Sequence, residues 1–65
     1  MKLTVNGDLR NSPDGTTVSA LLEQLKLLPR SVAVELNRRL LRSEKYDTIL
    51  NDGDAVEIVT FVGGG

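Results

Sequence analysis

Only one stretch of this sequence has the spacing of a helix that buries one face, and that limits the folds open to it. Val18, Leu21, Leu22 and Leu25 recur at i, i+3, i+4 and i+7, the apolar stripe of an amphipathic helix. Thr16 or Thr17 can cap its start by accepting bonds from otherwise orphaned amides. Pro29 cannot continue a helix and also restricts Leu28, so the helix is expected to end near Leu27. Elsewhere most apolar residues alternate with polar ones, which is the period of a strand. One helix covers one face of one sheet. The expectation is a two-layer α+β fold, a single domain over residues 1–65. The chain has no cysteine, so no disulfide assists so small a core.

The strands can be placed from alternation and from the turns between them. Leu3 and Val5 share one face of a strand over residues 2–6, and Asn6-Gly7 is the dipeptide that a tight hairpin prefers. A short partner strand is expected from Asp8 to Asn11. Ser12-Pro13-Asp14-Gly15 reads as a turn leading to the helix. After the helix, Val32, Val34 and Leu36 point one way along a third strand. Residues 38–50 resist assignment: Leu40 and Leu41 suit a short strand or a turn, and Ser43 to Tyr46 one helical turn. Asn51-Asp52-Gly53-Asp54 is a turn, and Ala55 to Val59 forms the final strand with Val56 and Ile58 inward. This predicts a mixed sheet of four to five strands on one main helix, with the first and last strands parallel neighbours at its centre.

Composition removes several functions. With a formal net charge of −1 and only Tyr46 and Phe61 as aromatics, neither a field nor a stacking platform for nucleic acid is expected. No apolar run approaches the roughly 20 residues of a membrane span. The start, Met1-Lys2-Leu3-Thr4, has no signal-peptide stretch, so the cytoplasm is the expected compartment. Histidine and cysteine are both absent, which leaves no ready nucleophile or general base and no thiolate metal site. The carboxylates fall in turns (Asp14, Asp52, Asp54) or on solvent faces (Glu35, Glu57). No intrinsic catalytic residue and no metal ligand is expected.

The chemistry-bearing segment is then the tail, residues 60–65, read as flexible and ending in Gly63-Gly64-Gly65. Glycine-rich loops cradle phosphates when a helix N-terminus follows them, and none follows here. A glycine segment without side chains can instead thread a narrow channel and bring a terminal carboxylate against a nucleotide phosphate. Gly63 and Gly64 would thread, and Gly65 would carry the reacting group. Phe61 lies beyond the expected sheet, so it either folds back on the domain or anchors in a partner pocket together with Val59 and Val62. Arg38, Arg39 and Arg42 form a basic cluster, and Arg30 and Arg10 are candidates to lie near it. Such a cluster either discourages strand pairing at an edge or docks on an acidic partner.

The order of elements and the protruding glycines resemble the ubiquitin-like β-grasp sulfur carriers. Val34-Glu35-Leu36-Asn37, Asp52-Gly53-Asp54, Val56-Glu57-Ile58-Val59 and Phe61-Val62-Gly63-Gly64-Gly65 resemble, within that group, the ThiS family of thiamin biosynthesis. The resemblance covers essentially the whole chain. It implies a carrier that binds no cofactor of its own. A ThiF-type adenylyltransferase using ATP and Mg would activate the Gly65 carboxylate, and a sulfur donor enzyme would convert it to a thiocarboxylate. Thiazole synthase, ThiG, would then take the sulfur. Related possibilities are the small subunit of molybdopterin synthase and a carrier for cysteine synthesis or tRNA thiolation. A ubiquitin-like modifier or an inert interaction domain would belong to other classes.

Overall fold

Asn6 and Gly7 take φ of 50° and 86°, the paired left-handed values that a two-residue hairpin turn requires. They join β1 (Lys2–Val5) to β2 (Asp8–Asn11), closed by the pair Val5 and Asp8. The computed structural model describes residues 1–61, and Val62, Gly63, Gly64 and Gly65 lie outside the described residues. A second hairpin of the same kind joins β3 (Val32–Leu36) to β4 (Arg39–Leu41). Its turn residues are Asn37 and Arg38, at φ 52° and 70°. Asparagine tolerates that conformation, but arginine is rarely found there, and so the turn is hidden in the sequence. Leu40 and Leu41 are strand residues, and Ser43–Lys45 is a single 3-10 turn.

The last strand, β5 (Ala55–Thr60), lies at the centre of the sheet, whose order is β2-β1-β5-β3-β4. It runs parallel to β1 and antiparallel to β3, so the expected central pairing holds. Thr60, placed in the tail by its sequence, is the final residue of β5, facing Val32 across the ladder. The alternation of apolar residues stops at Val59, but backbone pairing does not depend on it.

Helix α1 (Val18–Gln24) packs Val18, Leu21 and Leu22 on the sheet, all fully buried. At seven residues it is too short to be stable by propensity, so its ends must be satisfied from outside. Thr17 caps it through an Ala20 N–H bond of 3.0 Å to Oγ1. The Val18 and Ser19 amides donate to the carbonyls of Thr48 and Tyr46, at 3.1 and 2.8 Å. The irregular crossing thus completes the helix start, and it also contributes Tyr46 and Leu50 to the core. The crossing is structural, which its composition does not announce.

The helix stops three residues short of the expected Leu27, and the proline is not the reason. Lys26 takes φ 59°, its N–H donates to the Glu23 carbonyl, and the Leu27 N–H reaches the Leu22 carbonyl at 2.9 Å. These are the two bonds of a Schellman cap, with lysine where glycine is usual. Leu27 then packs on the core. Lys26→Gly should therefore raise stability by about 0.5–1 kcal/mol, the relieved left-handed strain less the entropy that glycine adds to the unfolded chain. A denaturant midpoint that falls would show that the lysine stem contributes more than its backbone costs.

Candidate functional site

Everything that leads to the tail is organised around β5. On its β3 side five residue pairs run from Leu36–Val56 to Val32–Thr60. On its β1 side the ladder covers only Thr4–Ala55 and Val5–Val56. Beyond that, Asn6 takes over: its N–H donates to the Val56 carbonyl at 2.9 Å. Its side-chain amide accepts from the Ile58 N–H at 2.7 Å and donates to the Ile58 carbonyl at 3.1 Å. The amide group stands in for one further residue of β1.

A second asparagine does related work at the other end of β5. Asn37 donates its N–H to the Ala55 carbonyl at 2.8 Å, and its Oδ1 accepts from the Ala55 N–H at 2.9 Å. Its Nδ2 bonds the Asp54 carboxylate at 3.0 Å, tying the hairpin to the turn before β5. Both asparagines sit at the first position of a tight hairpin. Sequence patterning identifies Asn6 as a turn residue, but nothing local shows that its side chain grips a strand fifty residues away.

Past Thr60 the chain is still held, because the Phe61 N–H donates to the Ser31 carbonyl at 2.9 Å. The side chains point the other way in character. Val59 is 61% exposed and Phe61 63% exposed. Phe61 therefore does not fold back into the core. The burial of Val56 and Ile58 alternates with the exposure of Glu57 and Val59, so Val59 lies on the sheet face opposite the helix. A large apolar group left in water at the root of the tail suits an anchor for a partner.

The expected basic residues are not beside that anchor. Arg38 is at the tip of the second hairpin, and Arg39 faces Leu36, which pairs with Val56 near the start of β5. Four residues of strand, about 13 Å, separate that level from Thr60. Arg38 and Arg39 are exposed and could meet a partner, but not as one patch with Val59 and Phe61. Arg42 is nearer the exit end and lies 3.6 Å from Glu44. Val62 and Gly63 to Gly65, the rest of the predicted site, fall outside the described residues.

Sequence patterning leaves out three residues of this face. Glu35 stands directly opposite Glu57, and Leu40, 71% exposed, stands opposite Glu35. The two glutamates look like ordinary solvent-facing strand positions and Leu40 like part of a short strand or a turn, and only the register joins them. Among the described residues no group of three or more metal-capable side chains occurs. No described helix is long and apolar enough to cross a membrane.

Comparison with known proteins adds to this geometry. The sequence profile of the ThiS family matches residues 3–65. The sulfur carrier protein ThiS of Bacillus subtilis is 40% identical over 65 residues, spanning 97% of this chain and 98% of that protein. The crystal structure of a thiamine biosynthesis protein, ThiS, from Geobacter metallireducens superposes with a TM-score of 0.84. It is 43% identical, and the match covers 100% of both chains. A thiazole synthase of Paramagnetospirillum magneticum is 47% identical over 66 residues. That match takes in all of this chain but only 20% of the synthase. A thiazole synthase of Magnetococcus marinus has the same proportions at 39% identity, so the chain spans about a fifth of the length of these relatives.

Proposed function

The chain belongs to the ThiS family, whose members carry sulfur without catalysing its transfer, and from that premise we propose that Gly65 bears the sulfur. A carboxylate is a poor electrophile, so it must first be activated. A ThiF-type adenylyltransferase would join the Gly65 carboxylate to the AMP portion of ATP, releasing pyrophosphate, with Mg held by that enzyme. Sulfide-level sulfur released by a sulfur donor enzyme would then attack the acyl carbon and expel AMP, leaving a thiocarboxylate. Gly63 and Gly64 offer no side chain to obstruct the channels through which the tail must pass. Val59, Phe61 and Val62 would anchor the tail's root, with Arg38 and Arg39 contacting the partner separately. We place the reaction in the cytoplasm.

The recipient in this reading is thiazole synthase, ThiG, which would build the sulfur into the thiazole ring of thiamin. One observation carries that choice. Two thiazole synthases contain, within a single polypeptide, a segment similar to this whole chain. A carrier joined to an enzyme gains the high effective concentration of a tethered substrate, which is useful only if the two react.

The test is the intact mass of the protein after incubation with ATP, a sulfur donor and a ThiF-type adenylyltransferase. The expected gain is that of one oxygen replaced by sulfur, located on Gly65. A variant lacking Gly64 and Gly65 should show no gain and no loss of folding. Sulfur on the truncated chain would overturn the reading. Attachment to lysines of a second protein would mark a modifier instead, and delivery only to a pterin-forming enzyme would assign a different recipient.

A further inference from the structure

We propose that a cleft between the first hairpin and the end of α1 binds a small organic carboxylate with an apolar body. The cleft follows from how α1 ends and where β2 lies. The cap at Lys26 stops the helix at Gln24 and turns Leu27 back to the core, so Leu25 and Leu27 form one wall. β2 is an edge strand, and no further strand closes that side of the sheet. The space between them is about 370 Å³, within the roughly 300–1,000 Å³ usual for a small-molecule site. Val5 and Ile58 complete the apolar lining, and Arg10 and Asp8 supply the charges.

Arg10 gives the cleft its sign. It pairs with fully buried Leu3, so its side chain leaves β2 on the helix side of the sheet. There its Nε is buried without a hydrogen-bond partner. Among the described residues the ion pairs are Met1 with Asp14 and Arg42 with Glu44, and neither uses Arg10. A donor withdrawn from water with no acceptor is costly, more so on a charged group. A carboxylate in the cleft offsets that cost, because its two oxygens match the planar fork of the guanidinium and a half-buried setting strengthens the attraction. Asp8 limits what can enter. It lies two residues along the same face, about 7 Å away by strand spacing, and lines the same cleft. Its negative charge opposes a phosphate or any other dianion, so the ligand carries one negative charge and puts the rest of its surface on the apolar walls. Asn6 and Ile58 border the cleft as well, so the occupant lies against the joint that holds the far end of β5. The site stands independently of the sulfur-carrier reading.

The test uses octanoate as the probe and nitrogen-15-labelled wild-type protein. Backbone amide shifts would be followed as octanoate is added, with octylamine and octyl phosphate titrated in parallel. The expected result is saturable shifts at Leu9, Arg10, Leu27 and Ile58 with a Kd below about 1 mM, no saturation with octylamine, and octyl phosphate about tenfold weaker. Arg10→Met keeps an apolar stem and removes the charge, and it should weaken octanoate about tenfold or more. Its denaturant midpoint should equal or exceed that of wild type, because an unpartnered buried donor is gone. A merely structural arginine would instead lower the midpoint and leave the octanoate affinity of the folded protein unchanged. No saturable shift, shifts confined to other parts of the domain, or an equal response to octylamine would each overturn the proposal. So would binding seen only in the variant lacking Gly64 and Gly65, which would assign the cleft to the chain's own end.

Discussion

Gly64→Val should leave the thermal midpoint of the domain unchanged while removing most of its adenylation. The first half follows from where the stabilising contacts are. Among the described residues, every core residue, both hairpins and the ladders on either side of β5 lie at or before Thr60. The second half follows from the proposed threading of the tail. Fixing each residue of an extended segment costs about 1–2 kcal/mol in lost freedom, so the complex has little reserve for a branched side chain that narrows its path. Strain of about 1.4 kcal/mol is enough for a tenfold loss. Gly63→Ala, farther from the reacting group, should be milder. Wild-type exchange rates for Gly64→Val would end the channel argument and leave the glycines to be explained by chain freedom alone.

Leu22→Ala is expected to have the opposite signature, a large loss of stability with the tail chemistry intact in whatever fraction remains folded. Leu22 is fully buried, and its carbonyl accepts the cap bond from Leu27, whose side chain packs on the same core. Removing a buried leucine side chain costs about 2–5 kcal/mol, depending on how far the site collapses. At roughly 0.05–0.15 kcal/mol per residue, the whole domain has about 3–10 kcal/mol to lose. The denaturant midpoint should fall steeply, and part of the population could be unfolded without any denaturant. Val56→Ala, near the start of the central strand and 1% exposed, should be costly too, whereas half-buried Leu25 should be less so. A midpoint unmoved by Leu22→Ala would mean that the helix stripe does not pack as described.

These two variants divide the molecule along a line that the sequence already marks. Alternation places Leu3, Val34, Val56 and Ile58 inward, and all four are buried. Asn6-Gly7 announces its hairpin because both residues favour the backbone it needs. The features that escape notice depend on partners far along the chain or on residues used against their preference. Lys26 and Arg38 occupy left-handed positions where glycine or asparagine would be expected, so a helix cap and a hairpin turn pass unseen. Tyr46 and Leu50 enter the core from a segment with no period at all. At the site, Val59 and Phe61 are exposed, as an anchor requires, because each is apolar where burial is no longer available. The separation of Arg38 and Arg39 from them, and the meeting of Glu35 with Glu57, are consequences of strand register. Local sequence carries no record of register across a crossover.

The central position of β5 also determines how the domain answers traction. A partner that draws on the tail applies force along the strand axis, while the hydrogen bonds holding β5 in its antiparallel pairing lie across that axis. The load then falls on both flanks together, on the β3 ladder and on the shorter β1 ladder with its Asn6 extension. Bonds loaded in shear share the force, whereas an edge strand pulled sideways opens like a zipper, one bond after another. The strand that ends in the tail is thus seated where tugging is least able to unravel it. A carrier whose end is seized in turn by different enzymes can be gripped firmly and released whole.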